Sequence, residues 1–157
     1  NTSPSDQSLV TPALQVSATG SLGFVLTHRH SFEADALTNY DGGVIEISTD
    51  DGMTWSDIGM MFTRAGYNGT LWSQNVPLKD RKAFANKSPG YPAWITTEAN
   101  LGTAYAGKTV KLRFRVGTDP AEGGAGWELN DLSFTGLANQ PFSSRQASTR
   151  CPTLPRP

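Results

Sequence analysis

Residues 24–32, with the sequence FVLTHRHSF, alternate apolar or aromatic side chains with polar ones at every second position. Successive side chains of a β-strand point to opposite faces, so a period of two predicts a strand with one buried face. Both histidines of the chain fall on the apolar side of this strand. The side chains expected to point inward are Phe24, Leu26, His28, His30 and Phe32.

The same period of two recurs in residues 14–18, 43–48 and 110–116. Alternation of this kind is typical of antiparallel strands that have one face against the core and the other in solvent. Val44 and Glu46 are therefore expected to face solvent. The side chains expected to point inward are Leu14, Val16, Ala18, Ile45, Ile47, Val110, Leu112, Phe114 and Val116.

A last strand over residues 127–134 changes its phase part of the way along. The apolar side chains before position 130 have one parity, and those after it have the other. One extra residue in a strand shifts the phase in this way. The pattern therefore predicts a β-bulge near Asn130 and Asp131.

The composition favours many short strands joined by turns. Glycine provides 16 of the 157 residues and proline 10, and only 17% of the residues are charged. No helical period exceeds two turns, so we expect an all-β fold, an antiparallel β-sandwich with jelly-roll topology. Residues 10–137 would form this domain, between an N-terminal tail at 1–9 and a C-terminal tail or linker at 138–157. Residues 59–94 are less regular and are expected to carry one or two short strands, with 93–98 the best candidate.

Residues 48–55, with the sequence STDDGMTW, match the Asp-box pattern, a hairpin turn known from sialidases. Asp50 is expected to accept hydrogen bonds from turn amides and from Thr54. Gly52 would supply a positive φ, and Trp55 would pack over the turn. A sialidase propeller needs several such boxes and this chain has one, so the motif predicts a turn rather than an active site.

The sequence lacks the motifs of common catalytic sites. It has no His-Glu-x-x-His zinc motif, no Gly-x-Ser-x-Gly elbow and no glycine-rich phosphate loop. It also has no run of apolar residues long enough to span a bilayer. We therefore expect a domain that is not an enzyme and has no membrane partner.

Acidic residues at a strand end and in the loops favour a hard cation. Glu33 follows the second predicted strand, Asp41 lies in the glycine-rich loop after it, and Asp131 lies at the predicted bulge. Calcium takes about six to eight oxygen ligands, which irregular loops can supply. The sequence therefore predicts a calcium ion held by Glu33, Asp41 and Asp131, with a set of unrelated turn acids as the alternative.

Aromatic and basic residues mix between positions 62 and 94. Rings flanked by polar side chains suit sugar rings or an extended peptide, and they also suit single-stranded nucleic acid. The pI near 6.1 argues against nucleic acid. The alternative is that these rings cover an open side of the sandwich. The expected ligand-binding residues are Trp72, Arg81, Tyr91 and Trp94.

The order of several motifs resembles one known kind of domain. These motifs are HRHSFE at 28–33, YDGGVIEIS at 40–48, YAGKTV at 105–110 and GWELND at 126–131. Together they are similar to the non-catalytic MAM-like β-sandwich of secreted bacterial metallopeptidases, including immune inhibitor A-like and fungalysin-like enzymes. The resemblance covers about residues 10–137. It implies a jelly-roll fold, an extracellular location and no catalysis by this domain.

Two classes of function remain open from the sequence. In the first, the domain binds an extracellular polymer, a polysaccharide or a protein substrate, and holds the catalytic domain of the same parent chain near it. In the second, it is a structural or maturation module, removed or retained, with no ligand of its own. Exposed aromatic rings would favour the first class and buried rings the second.

Overall fold

The computed structural model describes residues 3–72 and 77–142, in which eleven β-strands form two antiparallel sheets that pack face to face. The all-β, antiparallel sandwich predicted from the sequence is confirmed. In the described residues the one helical element is a short 3-10 turn, Gly59–Met61, and no helix is long and apolar enough to cross a membrane. The strands are β1 Ser5–Val10, β2 Leu14–Gln15, β3 Leu22–Ser31, β4 Gly42–Ser48, β5 Ser56–Asp57, β6 Phe62–Arg64, β7 Gly69–Thr70, β8 Lys82–Ala85, β9 Ile95–Gly102, β10 Thr109–Thr118 and β11 Gly126–Thr135.

The first sheet has the strand order β1-β10-β4-β8-β7, with β2 also paired to β10 and β5 to β4. The second sheet has the order β11-β3-β9-β6. Neighbours in sequence therefore lie mostly in different sheets, and the chain crosses between the two layers repeatedly. This strand order does not by itself establish jelly-roll connectivity, which stays a prediction.

The core lies between the sheets and contains most of the side chains that the period of two placed inward. Ala18 is the exception: it is exposed, because the strand expected over residues 14–18 ends at Gln15. Phe24, Leu26, Ile45 and Leu112 are all nearly or fully buried. Phe84 lies at the centre of an aromatic cluster, where its ring meets the rings of residues 28, 30, 62, 67 and 127. Burial of so much apolar surface is the main stabilising contribution to such a domain.

Strand β4 differs from its prediction because both of its faces are buried. Val44, expected in solvent, packs in a second apolar cluster with Leu71 and Leu78 from the segment that passes around β7 and β8. Glu46, expected in solvent as well, is 3% exposed and lies among arginine side chains. The alternation in the sequence correctly separated the two faces of β4. It gave no sign that a long connection would cover the outer face.

The N-terminal residues differ from the expected tail. Strand β1 pairs with the edge of β10, from Ser5 opposite Thr118 to Val10 opposite Arg113. Its side chains are mostly exposed, so no apolar pattern marks it. Backbone hydrogen bonds form the ladder regardless of side chain, and the Asp6 carboxylate adds an ion pair with the guanidinium of residue 115 at 2.7 Å.

The C-terminal end of the described chain also docks on the sandwich. Ala138 N–H donates to Gln15 O at 2.7 Å, and the Asn139 amide donates to Ala13 O. The predicted tail at 138–157 therefore begins as a bonded segment, and its residues 143–157 lie outside the described residues.

Three local predictions are confirmed in detail. The pairing of β11 with β3 shifts between Leu129 and Asp131, which is the predicted bulge. In the Asp-box turn, Asp50 accepts hydrogen bonds from Thr54 N–H at 2.9 Å and from the Thr54 hydroxyl at 2.6 Å. Gly52 has φ +97°, and its carbonyl accepts a hydrogen bond from the indole of residue 55 at 3.0 Å.

The irregular region contains more strand than expected. Strands β6, β7 and β8 fall within residues 59–94, rather than one or two, and the strand expected at 93–98 runs from Ile95 to Gly102. β6 and β7 are edge strands, and β8 lies between β4 and β7 with a pairing of two residues to β4. Pairing over so few residues needs no periodic pattern.

Candidate functional site

Three acidic side chains converge at one end of the sandwich. Glu33 follows β3, Asp41 precedes β4 and Asp119 follows β10, so neighbouring strand ends bring them together. One carboxylate oxygen from each lies within 4.8 Å of the others. This spacing fits a cation that is bound by one oxygen from each acid.

The backbone holds this cluster in place. The N–H of Asp119 donates to Asp41 Oδ1 at 3.0 Å, and the N–H groups of Tyr40 and Asp41 donate to the carbonyl of Glu33. Asp41 is 1% exposed and Asp119 6%. Glu33 Oε2 is buried and has no hydrogen-bond partner among the described residues. A buried carboxylate oxygen without a partner is costly, and a bound cation would satisfy it.

The electrostatics of the cluster also favour a cation. Burial raises the pKa of Asp41 above its ordinary value. Burial raises the pKa of Glu33 as well, with further contributions from the negative charges of Asp119, Asp41 and Glu122. Both carboxylates therefore resist ionisation when no cation is near, and a divalent ion would reverse this effect.

Asp131 does not belong to this cluster. It lies at the bulge of β11, exposed and opposite Thr27. The three-acid set predicted from the sequence is therefore corrected: Asp119 takes the third place. Pairing of residues 110–116 with residues 43–48 was the signal that could have found it, because that register puts the end of β10 beside the start of β4.

Trp94 is the aromatic residue of the predicted set that is both exposed and fixed. Its side chain is 43% exposed, and the guanidinium of Arg29 lies 4.5 Å from the ring centre. Arg29 in turn donates to both carboxylate oxygens of Glu128, at 2.8 and 2.7 Å, and to the carbonyl of Pro92 at 2.9 Å. The Arg29 hydrogen bonds hold the pKa of Glu128 below its ordinary value. The Trp94 indole is therefore held in place by contacts within the protein.

The other predicted ligand residues do not join Trp94 in one platform. Tyr91, half-buried, lies three residues before Trp94 at a cis peptide bond to residue 92. Trp72 meets the ring of Tyr40 edge to face at 5.5 Å. Arg81 lies beside the first sheet and forms ion pairs with the carboxylates of residues 46 and 57.

Arg113 and Arg115 form an arginine stripe on the outer face of β10, and acidic partners neutralise it. Glu46 accepts hydrogen bonds from Arg81 at 2.6 Å and from Arg113 at 2.7 Å. The guanidinium of Arg115 lies 3.8 Å from the same carboxylate. The guanidinium of Arg113 also lies 4.4 Å from the centre of the Trp55 ring, which ties this network to the Asp-box turn. A stripe paired in this way has little free positive charge for phosphates.

The two histidines are in the core, where the sequence placed them. Trp127 Nε1–H donates to His28 Nδ1 at 2.9 Å, so His28 carries its proton on Nε2, which lies 2.8 Å from Thr97 Oγ1. The Thr97 hydroxyl in turn donates to the carbonyl of Ala65 at 2.6 Å. His30 is also buried, yet neither of its ring nitrogens has a partner among the described residues.

No protein-family model matches the chain, and no curated protein matches it significantly.

Proposed function

We propose that this chain is a non-catalytic, extracellular β-sandwich module that binds a polymer through the outer face of its second sheet. The observation that carries the proposal is the Trp94 indole, which is exposed and held against Arg29. A ring that is fixed in advance loses little conformational entropy on binding, so stacking on a sugar or peptide is more favourable. The ion pair of Arg29 with Glu128 offers polar groups beside the ring.

The positions of the histidines support a function other than catalysis. Both rings are at most 1% exposed, and His28 uses both nitrogens within the core. A general acid or base must lie within hydrogen-bond reach of the substrate, and these side chains do not reach solvent. We propose that the module serves a catalytic domain of the same parent chain, as the resemblance to metallopeptidase accessory domains implies. Tethering would raise the local concentration of polymer for that domain.

Replacing Trp94 by alanine is expected to weaken polymer binding by about fivefold or more, because one stacked ring contributes about 1–3 kcal/mol. The assay is retention on insoluble polysaccharides, collagen and casein. Trp72→Ala is the matched control, since that ring packs on Tyr40 away from Arg29, and its binding should stay within about twofold of wild type. Equal retention of wild type and Trp94→Ala would remove the proposal. Failure of the folded wild type to bind any polymer would favour the structural or maturation module.

We further propose that Glu33, Asp41 and Asp119 bind one calcium ion that stabilises this module. The buried, unpartnered Glu33 Oε2 and the distance of 4.8 Å or less among the three ligand oxygens support this proposal. Calcium would join the ends of β3, β4 and β10, and so would connect the two sheets. Its role here would be structural, because Asp41 and Asp119 are buried.

Saturating calcium is expected to raise the melting temperature by several degrees. A calcium concentration about one hundred times the dissociation constant adds about 2.7 kcal/mol to the free energy of unfolding. Asp119→Asn should abolish most of this rise. In chelator the same variant should melt higher than wild type, because it removes one charge from a repelling cluster. Asp131→Asn is the control and should keep the full calcium response. Identical melting curves of wild type in chelator and in millimolar calcium would contradict the proposal.

A further inference from the structure

A cleft of about 580 Å³ opens on the side of the sandwich where β6 and β8 lie near the sheet edges. Its walls come from the segment 57–67 and from residues 81 and 82. The volume falls within the range of pockets that take small ligands or one end of a longer one. The cleft is separate from both the acidic cluster and Trp94, because it includes none of those residues.

Two glycines let the backbone pack closely against the aromatic rings of this cleft. A Cβ built on Gly59 would lie 2.6 Å from the Tyr67 ring, and one built on Gly66 would lie 2.9 Å from the Phe62 ring. Peptide groups therefore line the cleft directly beside two aromatic rings. The Gly59 N–H donates to Asp57 Oδ1 at 2.6 Å and the Thr63 hydroxyl donates to the Glu98 carbonyl at 3.4 Å, so the Thr63 oxygen is left as an acceptor beside the rings. An acceptor next to apolar surface suits a hydroxyl of a sugar ring.

The wall of the cleft is held from inside the core. Ala65 lies in the left-handed region, with φ +45°, a conformation that non-glycine residues rarely adopt. Its carbonyl accepts the hydrogen bond from Thr97, which is connected through His28 to the indole of Trp127. Strained backbone persists where the surroundings enforce it, and it concentrates at functional sites. This buried chain of hydrogen bonds therefore holds the wall of the cleft in place before a ligand binds.

The charge on the rim favours an anion. Arg81 is neutralised by its carboxylate partners, and Arg64 forms only an exposed pair with Glu98 at 3.1 Å. Lys82 is exposed and has no ion-pair partner among the described residues. An acidic group of the ligand would therefore meet Lys82 and Arg64 at the mouth of the cleft.

We infer that this cleft binds a uronic acid residue of an acidic polysaccharide. The inference rests on the proposed polymer-binding function and narrows the polymer to one that carries carboxylates. Arg64 contacts Glu98, which lies four residues after Trp94. Four residues of a strand span about 13 Å. One polysaccharide chain can therefore contact the Trp94 ring and the mouth of the cleft together.

The test titrates the intact chain with trigalacturonate and with the neutral galactotriose, followed by amide chemical shifts. Trigalacturonate should move the Gly59 and Gly66 amides in a saturable manner, and the neutral trisaccharide should bind at least about tenfold more weakly. Lys82→Glu should weaken trigalacturonate binding at least about tenfold. Lys87→Glu, at an exposed lysine outside the cleft, should bind like wild type.

Equal binding of the two trisaccharides, or shifts confined to residues outside the cleft, would overturn the inference. Absence of any shift up to millimolar trigalacturonate would overturn it as well. These outcomes are distinct from failure of the proposed function, since retention on an insoluble polymer with loss in Trp94→Ala would still be observed if the cleft were irrelevant.

Discussion

Lowering the pH from 7 to 5 is expected to reduce the free energy of unfolding by about 4 kcal/mol, or about 2 kcal/mol for each buried histidine. Burial lowers the pKa of His28 and of His30 from 6.5 to about 4. In the unfolded chain both imidazoles take up a proton near pH 6.5, whereas in the folded chain they do so only near pH 4. The stability is therefore complete above about pH 6.5 and is lost as the pH falls toward about 4.

Urea unfolding of wild type, His30→Leu and His28→Leu at pH 7 and pH 5 checks this prediction. His30→Leu should halve the loss and should cost at most about 1 kcal/mol at pH 7, because the ring has at most a weak contact with the Ala85 backbone to lose. His28→Leu should cost about 2 kcal/mol more than His30→Leu at pH 7, since it leaves the Trp127 indole without its acceptor. A wild-type stability that is equal at both pH values would show that the imidazoles are not held neutral.

Replacing Glu46 by alanine is expected to lower the free energy of unfolding by about 3–5 kcal/mol. The side chain of Glu46 is 5% exposed and joins Arg81 and Arg113, with Arg115 nearby. Its removal leaves Arg113 with no ion-pair partner among the described residues, whereas Arg81 keeps Asp57 and Arg115 keeps Asp6.

Chemical denaturation of wild type, Glu46→Ala and Asp57→Asn gives the comparison. Asp57→Asn is the matched control, because Asp57 also pairs with Arg81 but is far more exposed, and it should cost at most about 1 kcal/mol. An equal loss in the free energy of unfolding for the two variants would mean that the burial of Glu46 adds nothing to the stability of this ion-pair network.

The strands with one solvent face could be predicted from the sequence. Strands β3 and β10 alternate strictly over most of their length, and each has its apolar side in the core. The bulge in β11 was visible as a change of phase, and the Asp-box turn as a local pattern of hydrogen-bonding residues. In all of these cases the signal lies within about ten residues, where side-chain periodicity or turn chemistry decides the conformation.

The remaining features depend on contacts between distant segments. Strand β1 is stabilised by its backbone ladder to β10, and its polar sequence gives no period. Val44 is buried by a connection whose path the sequence does not reveal. Asp119 reaches Glu33 and Asp41 only through the register of β10 with β4.

The most direct test of polymer binding by Trp94 is a titration with soluble fragments of a retained polymer. The chemical shift of each indole N–H is followed during this titration. The protein has 4 tryptophans. The indoles of Trp55 and Trp127 donate within the fold, and Trp72 packs on Tyr40. We predict that the Trp94 indole alone moves with saturation while the other three stay within error. A Trp94 signal that stays unchanged at saturation, or a movement of Trp72 in its place, would show that Trp94 is not the binding residue.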